Sequence, residues 1–198
     1  MAKVIAFPSP SPEKFGFKPV RRKKETNLEK HGQLNLFSGG KVVSLHQLSA
    51  FEEALLFDEQ HDAKAKDLYL KAIDQLDSAA DAYCNLGILE SEEKNYSKAI
   101  DYFTRSLKGE PRHYESHYNL ANLYAEIGNL PLAKIHYQTS IEIEPDFPNS
   151  YFNLGLTLAA TKEFEDAITM FKKYKSLASN ESNKQVDELI ENLESLGI

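Results

Sequence analysis

Cysteine is almost missing from this 198-residue chain, which contains only Cys84. A single thiol excludes an intrachain disulfide and suits a reducing cytoplasm. Long apolar runs are lacking too, and none approaches the roughly 18 residues that a membrane-spanning helix needs. The opening Met1-Ala2-Lys3-Val4-Ile5-Ala6-Phe7-Pro8 breaks at proline before reaching the apolar length of a secretory leader. There is no glycine-rich phosphate loop, because Gly39-Gly40 is not followed by Lys and Ser or Thr. Cys84 has no evident activating base nearby in sequence. His113 and His117 stand four apart, yet no further ligands converge with them, and packing is the expected role of His117. These absences predict a cytoplasmic chain that is not an enzyme and uses no cofactor and no metal.

What the chain has is charge, unevenly placed. The formal net charge of −7 conceals a basic start: residues 1–45 carry nine Lys or Arg against three Asp or Glu. The rest carries 14 basic and 27 acidic side chains. An acidic body repels phosphates, so nucleic acid is an unexpected partner except through the tail. Residues 1–31 read as a disordered basic tail, since Pro8, Pro10 and Pro12 remove backbone donors and favour extended geometry. Within it Arg21, Arg22, Lys23 and Lys24 form a compact basic run able to touch nucleic acid, an acidic partner or the acidic body. Residues 32–44 read as a short hairpin or extended segment, with Leu34, Leu36 and Phe37 before Gly39-Gly40 and Val42-Val43 after.

From residue 45 onward the chain repeats itself. Tyr83-Cys84-Asn85-Leu86-Gly87, His117-Tyr118-Asn119-Leu120-Ala121 and Tyr151-Phe152-Asn153-Leu154-Gly155 begin 34 residues apart. Ala99, Ala133 and Ala167 keep the same step, as do Phe103, Tyr137 and Phe171. A fixed period of this length marks a solenoid of stacked supersecondary units. The periodicity predicts A helices over 81–93, 115–127 and 149–161, and B helices over 97–108, 131–143 and 165–178. Small residues at 87, 121 and 155 and at 99, 133 and 167 let paired helices approach closely. Residues 45–79 fit as a degenerate first repeat. Its helices are expected over 45–58, behind a capping box of Ser44 and Gln47, and over 62–76. Its turn is one residue short, which puts Ala54 where a small residue is needed. Units 80–113, 114–147 and 148–181 follow. Residues 182–198 supply Val186, Leu189, Ile190, Leu193 and Leu196 at amphipathic spacing, an expected lid on the last unit.

Tyr83, Leu86-Gly87, Ala99, Phe103 and Pro111 resemble the tetratricopeptide repeat pattern, as do Leu120-Ala121, Tyr124, Ala133, Tyr137 and Pro145 in the next unit. Departures are Glu90 at the tyrosine-like position, Ser106 and Ser140 for the second alanine, and Tyr174 and Ser179 in the last unit. The resemblance implies an all-α fold, a right-handed α-solenoid of antiparallel helix pairs whose inner surface binds peptides or partner proteins. The positions it places on that surface include Asp81, Ile88, Glu115, Tyr118, Asn122, Asn149, Phe152 and Leu156. Asn85, Asn119 and Asn153 add a repeated amide one register step away, able to hold a peptide backbone whatever its sequence. Relatives that bind chaperones clamp a terminal carboxylate with Lys and Arg; here Asp81, Glu115 and Asn149 stand instead, which points to a ligand of basic and apolar character. The expected function is a protein- or peptide-binding scaffold or adaptor. The alternative is a regulatory accessory whose basic arm meets nucleic acid or an acidic partner while the repeats hold a protein. Self-association is a third reading. The tail itself, with Phe15, Phe17, Arg21 and Arg22, is a candidate ligand at an effective concentration of about 1 mM.

Overall fold

A computed structural model describes residues 19–20, 48–178 and 183–196. All regular structure among them is helical: α1 (Ala50–Glu59), α2 (Lys64–Asp74), α3 (Ala79–Glu92), α4 (Tyr96–Gly109), α5 (Tyr114–Glu126), α6 (Leu130–Ile143), α7 (Pro148–Ala160), α8 (Phe164–Leu177) and α9 (Asn183–Leu196). Helices α1 and α2, α3 and α4, and α7 and α8 pack as pairs, while α2 on α3, α6 on α7 and α8 on α9 join successive units. The chain divides into two compact units, residues 18–116 and residues 117–198. The hairpin expected over 32–44 and the box of Ser44 and Gln47 lie outside the described residues.

The first helix starts later than its apolar spacing predicts, at Ala50 rather than near residue 45. Ser49 sets that start. Its hydroxyl accepts from the Glu52 N–H at 3.2 Å, and the Glu52 carboxylate accepts from the Ser49 N–H at 2.9 Å. This reciprocal box satisfies two otherwise orphaned donors and sets a negative charge at the helix N-terminus.

Each turn inside a repeat needs one left-handed residue, at His61, Lys94, Gly128 and Lys162. The last three keep the 34-residue step, and glycine fills only one of them. From His61 to the small residue Ala65 is four positions, against five from Lys94 to Ala99.

The stripes expected from sequence are buried. Ala99, Phe103, Ala133, Tyr137, Ala167 and Phe171 are fully enclosed. A methyl group built on Gly87 would meet the Phe103 ring at 2.6 Å, and one on Gly155 would meet Phe171 at 2.7 Å. Those glycines are required for contact between helix and ring, not for backbone freedom. Ser106 and Ser140, which replace the second alanine, have a shared explanation. The Ser106 hydroxyl lies 2.7 Å from that of Ser116, and Ser140 lies 3.0 Å from Ser150. Glu90, at the tyrosine-like position, is buried, ion-paired with Lys66 and accepts from Asn95 at 2.9 Å. At the chain end Val186, Leu189, Ile190 and Leu193 join the core of the last unit with Phe171 and Tyr174. Glu188, Glu191 and Glu194 stay exposed, so α9 buries one face and turns the other to solvent.

Candidate functional site

The A helices present the candidate residues in register, and the two units use them differently. In residues 18–116, α3 carries Asp81, Asn85 and Ile88, all buried. Asn85 makes a double contact with a segment that belongs to no helix. Its Oδ1 accepts from the Val20 N–H at 2.8 Å, and its Nδ2 donates to the Val20 carbonyl at 3.0 Å. The same Nδ2 donates to the Tyr69 hydroxyl at 3.1 Å. Tyr69 in turn donates to Asp58 at 2.8 Å, so a chain of bonds from α1 and α2 orients the amide. Val20 is 1% exposed.

One turn earlier, Asp81 is engaged by His113. The ring Nδ1 accepts from the Ser116 N–H at 3.1 Å, which leaves the proton on Nε2 to be donated to Asp81 at 2.8 Å. Glu115 lies 3.5 Å from the same ring and is buried as well. The sequence suggested acidic positions facing a ligand; the structure closes them around a histidine that caps the start of α5. His113 is 0% exposed, so the arrangement offers no access for a reacting substrate. His113 and His117 are not brought together. His117 instead faces His136, with Nδ1 atoms 2.9 Å apart, and Tyr124 stacks on His136. Burial first, and then the neighbouring His117, lower the His136 pKa to about 4.

In residues 117–198 the equivalent amide is held by side chains. Asn153 donates to Asn122 at 2.8 Å and to the Tyr118 hydroxyl at 3.1 Å, while the Tyr137 hydroxyl donates to Asn122 at 2.5 Å. Tyr118 packs between Tyr137 and Phe147 at ring separations of 6.0 and 5.0 Å, and burial pushes its hydroxyl up to about 12. Phe152 sits against Phe171 and Tyr174, 5.6 and 5.1 Å away, as a core residue of the last repeat. Asn119 is buried, while Asn149 and Leu156 are half-buried.

Arg21, Arg22, Lys23, Lys24, Phe15 and Phe17 lie outside the described residues. Sequence reasoning missed Val20, which no periodic signal marks; Tyr69 follows Ala65 by four, as Phe103 follows Ala99, and so matches the repeat pattern, but that spacing does not show its bond to Asn85. An open depression lined by Lys94, Asn95, Tyr96, Ser97 and Lys98 lies at the α3–α4 turn, apart from these positions. No cluster of three metal-ligating side chains occurs among the described residues, and none of their helices is long and apolar enough to cross a membrane.

Sequence profiles described as tetratricopeptide repeat match residues 80–113, 102–134 and 148–181, and one described as TPR repeat matches residues 121–162. Together they run through more than half of the chain, over the same helix pairs. The chain belongs to the tetratricopeptide repeat family. Its fold is that of several solved tetratricopeptide repeat structures. A tetratricopeptide repeat protein from Parabacteroides merdae is 21% identical with a TM-score of 0.63, covering 75% of this chain and 59% of its own. The TPR2B-domain:pHsp70 complex of yeast Sti1 is 19% identical with a TM-score of 0.55, over 59% of this chain and 97% of its own. The first TPR of Spaghetti (RPAP3), bound to the HSP90 peptide SRMEEVD, is 17% identical with a TM-score of 0.55, over 60% and 94%. No curated protein sequence matches the chain.

Proposed function

We propose that this tetratricopeptide repeat protein is a non-catalytic scaffold that holds extended protein or peptide segments on the faces of its A helices. The observation that carries the reading is the Asn85 amide, which binds the N–H and the carbonyl of one non-helical residue together. Such a contact recognises main chain, the part every peptide shares. The two similar structures that contain chaperone material, one with pHsp70 and one with an HSP90 peptide, support peptide binding as the use of this fold.

The preferred ligand differs from the acidic SRMEEVD of the second structure. At the positions where a carboxylate clamp needs cations, α3 and α5 carry Asp81 and Glu115, both engaged with His113, so neither position offers a cation to a terminal carboxylate. A ligand with basic side chains, drawn by the acidic body, and an apolar side chain of the kind Val20 places at Asn85 fits better. A display screen of random peptides against the full chain tests this. Enrichment of Lys or Arg beside aliphatic residues is the expected outcome. Tightest binding by peptides ending in acidic residues and a free carboxylate would overturn it.

A further inference from the structure

The Asn85 contact reports more than the presence of a peptide-binding surface. Both of its bonds go to a single residue, Val20. One planar amide reaches an N–H and a carbonyl of the same residue only when both leave the backbone on the same side. That is extended geometry, the double exchange made by a paired residue in an antiparallel ladder. The Val20 side chain is enclosed with it, at 1% exposure. Asn85 is oriented independently of Val20, by Tyr69 and through it Asp58. The receptor half of the contact is thus built from helices, and the other half is a stretch of chain 65 positions away in sequence. Pro19, with its fixed φ, reduces the freedom this stretch loses on docking.

We propose that Pro19 and Val20 are a ligand carried in cis, occupying the Asn85 site until an outside segment displaces them. This rests on the reading of the repeats as a peptide-binding surface and names the regulation of that surface. The displacing segment must be extended and must offer a free N–H opposite Asn85, which excludes proline there. A small branched apolar side chain takes the place of Val20. A tethered arm at about 1 mM effective concentration, competing for a site with an intrinsic Kd of about 10–100 µM, weakens an outside peptide by about 10–100-fold.

The test uses the full chain, its Val20→Pro variant and a fluorescent synthetic peptide of residues 13–25 added in trans. Val20→Pro removes the donor at a residue that lies in no helix, so the helix pairs are expected to keep their fold, which far-UV circular dichroism checks. The variant is expected to bind the peptide at least about 10-fold more tightly than the unaltered chain. In the unaltered chain the Val20 amide hydrogen is expected to exchange slowly, and in Asn85→Ala at the rate of an open chain. Equal peptide affinity for the unaltered chain and Val20→Pro would overturn occupation in cis while leaving peptide binding intact. Fast exchange of the Val20 amide in the unaltered chain would overturn it as well. Binding of the peptide by neither protein would overturn both this proposal and the peptide-binding reading beneath it.

Discussion

Asn85 and Asn153 occupy the same place in their repeats, two steps of 34 apart, yet they bind different kinds of partner. Asn85 reaches main chain from outside its helix pair, at Val20. Asn153 reaches Asn122 and Tyr118, side chains of the repeat before it. The difference follows from the neighbouring repeat. Asn122 and Tyr118 on α5 supply an acceptor and a hydroxyl within reach of Asn153, whereas Asn85 meets the hydroxyl of Tyr69 on α2 and keeps its oxygen for Val20. A repeated residue is therefore a repeated opportunity, and its use is set by the residues around it. One amide binds main chain, and the other ties side chains of adjacent repeats together.

The largest expected effect separates these roles at Phe152. A residue lining an open face would tolerate truncation, but Phe152 packs on Phe171 and Tyr174. Phe152→Ala is expected to cost about 3–5 kcal/mol of unfolding free energy in a urea titration. A loss below about 1 kcal/mol would return Phe152 to the surface role that its register suggested.

Next come the two amides themselves. Asn153→Ala leaves Asn122 and Tyr118 short of a buried donor and is expected to cost about 1–3 kcal/mol while Val20 amide exchange stays unchanged. Asn85→Ala is expected to release the Val20 amide. If Asn153→Ala also released it, the contrast between tie and clasp would fail.

Acid divides the units again. His136 has its pKa lowered to about 4 from an ordinary 6.5, so folding favours its neutral form. That stability is complete above about pH 6.5 and is lost as pH falls toward 4. At Glu90, burial pushes the carboxyl up, but the hydrogen bonds from Lys66 and Asn95 outweigh it and leave the group below 4.5. Its contribution is present above 4.5 and disappears only in stronger acid. Amide exchange followed between pH 7 and pH 4 is expected to show residues 117–198 loosening before residues 48–116. Simultaneous loosening would remove the distinction.

The smallest effect concerns the turns. Lys162 stands left-handed, with φ of 65°, where the preceding repeat uses Gly128. Lys162→Gly is expected to raise stability by about 0.5–1 kcal/mol, read as a shift in thermal midpoint. No gain would mean that the freedom glycine adds to the unfolded chain cancels the relief.

The helices were legible because burial acts on every repeat alike. Ala99, Phe103 and their counterparts recur at one step since each meets the same neighbour. The start of α1 was not, because Ser49 and Glu52 act locally and compete with an apolar spacing that runs on before them. The candidate site was legible by position and not by partner. Asn85 was marked by its recurrence, but Val20 lies in a stretch with no period, and only folding brings it there. Phe152 and Tyr118 were placed on a lining face, and ring packing drew them inward instead. Asp81 and Glu115 were readable as carboxylates, while His113 between them was hidden because it belongs to the start of the following helix.

Ser106 and Ser140 each meet a hydroxyl on the next A helix, and the step that follows them lands on Tyr174. Tyr174 instead turns its ring onto Phe152. The seams of the array thus change from hydroxyl pairs to apolar contact at the last one, where Tyr174 shares a core with the apolar face of α9.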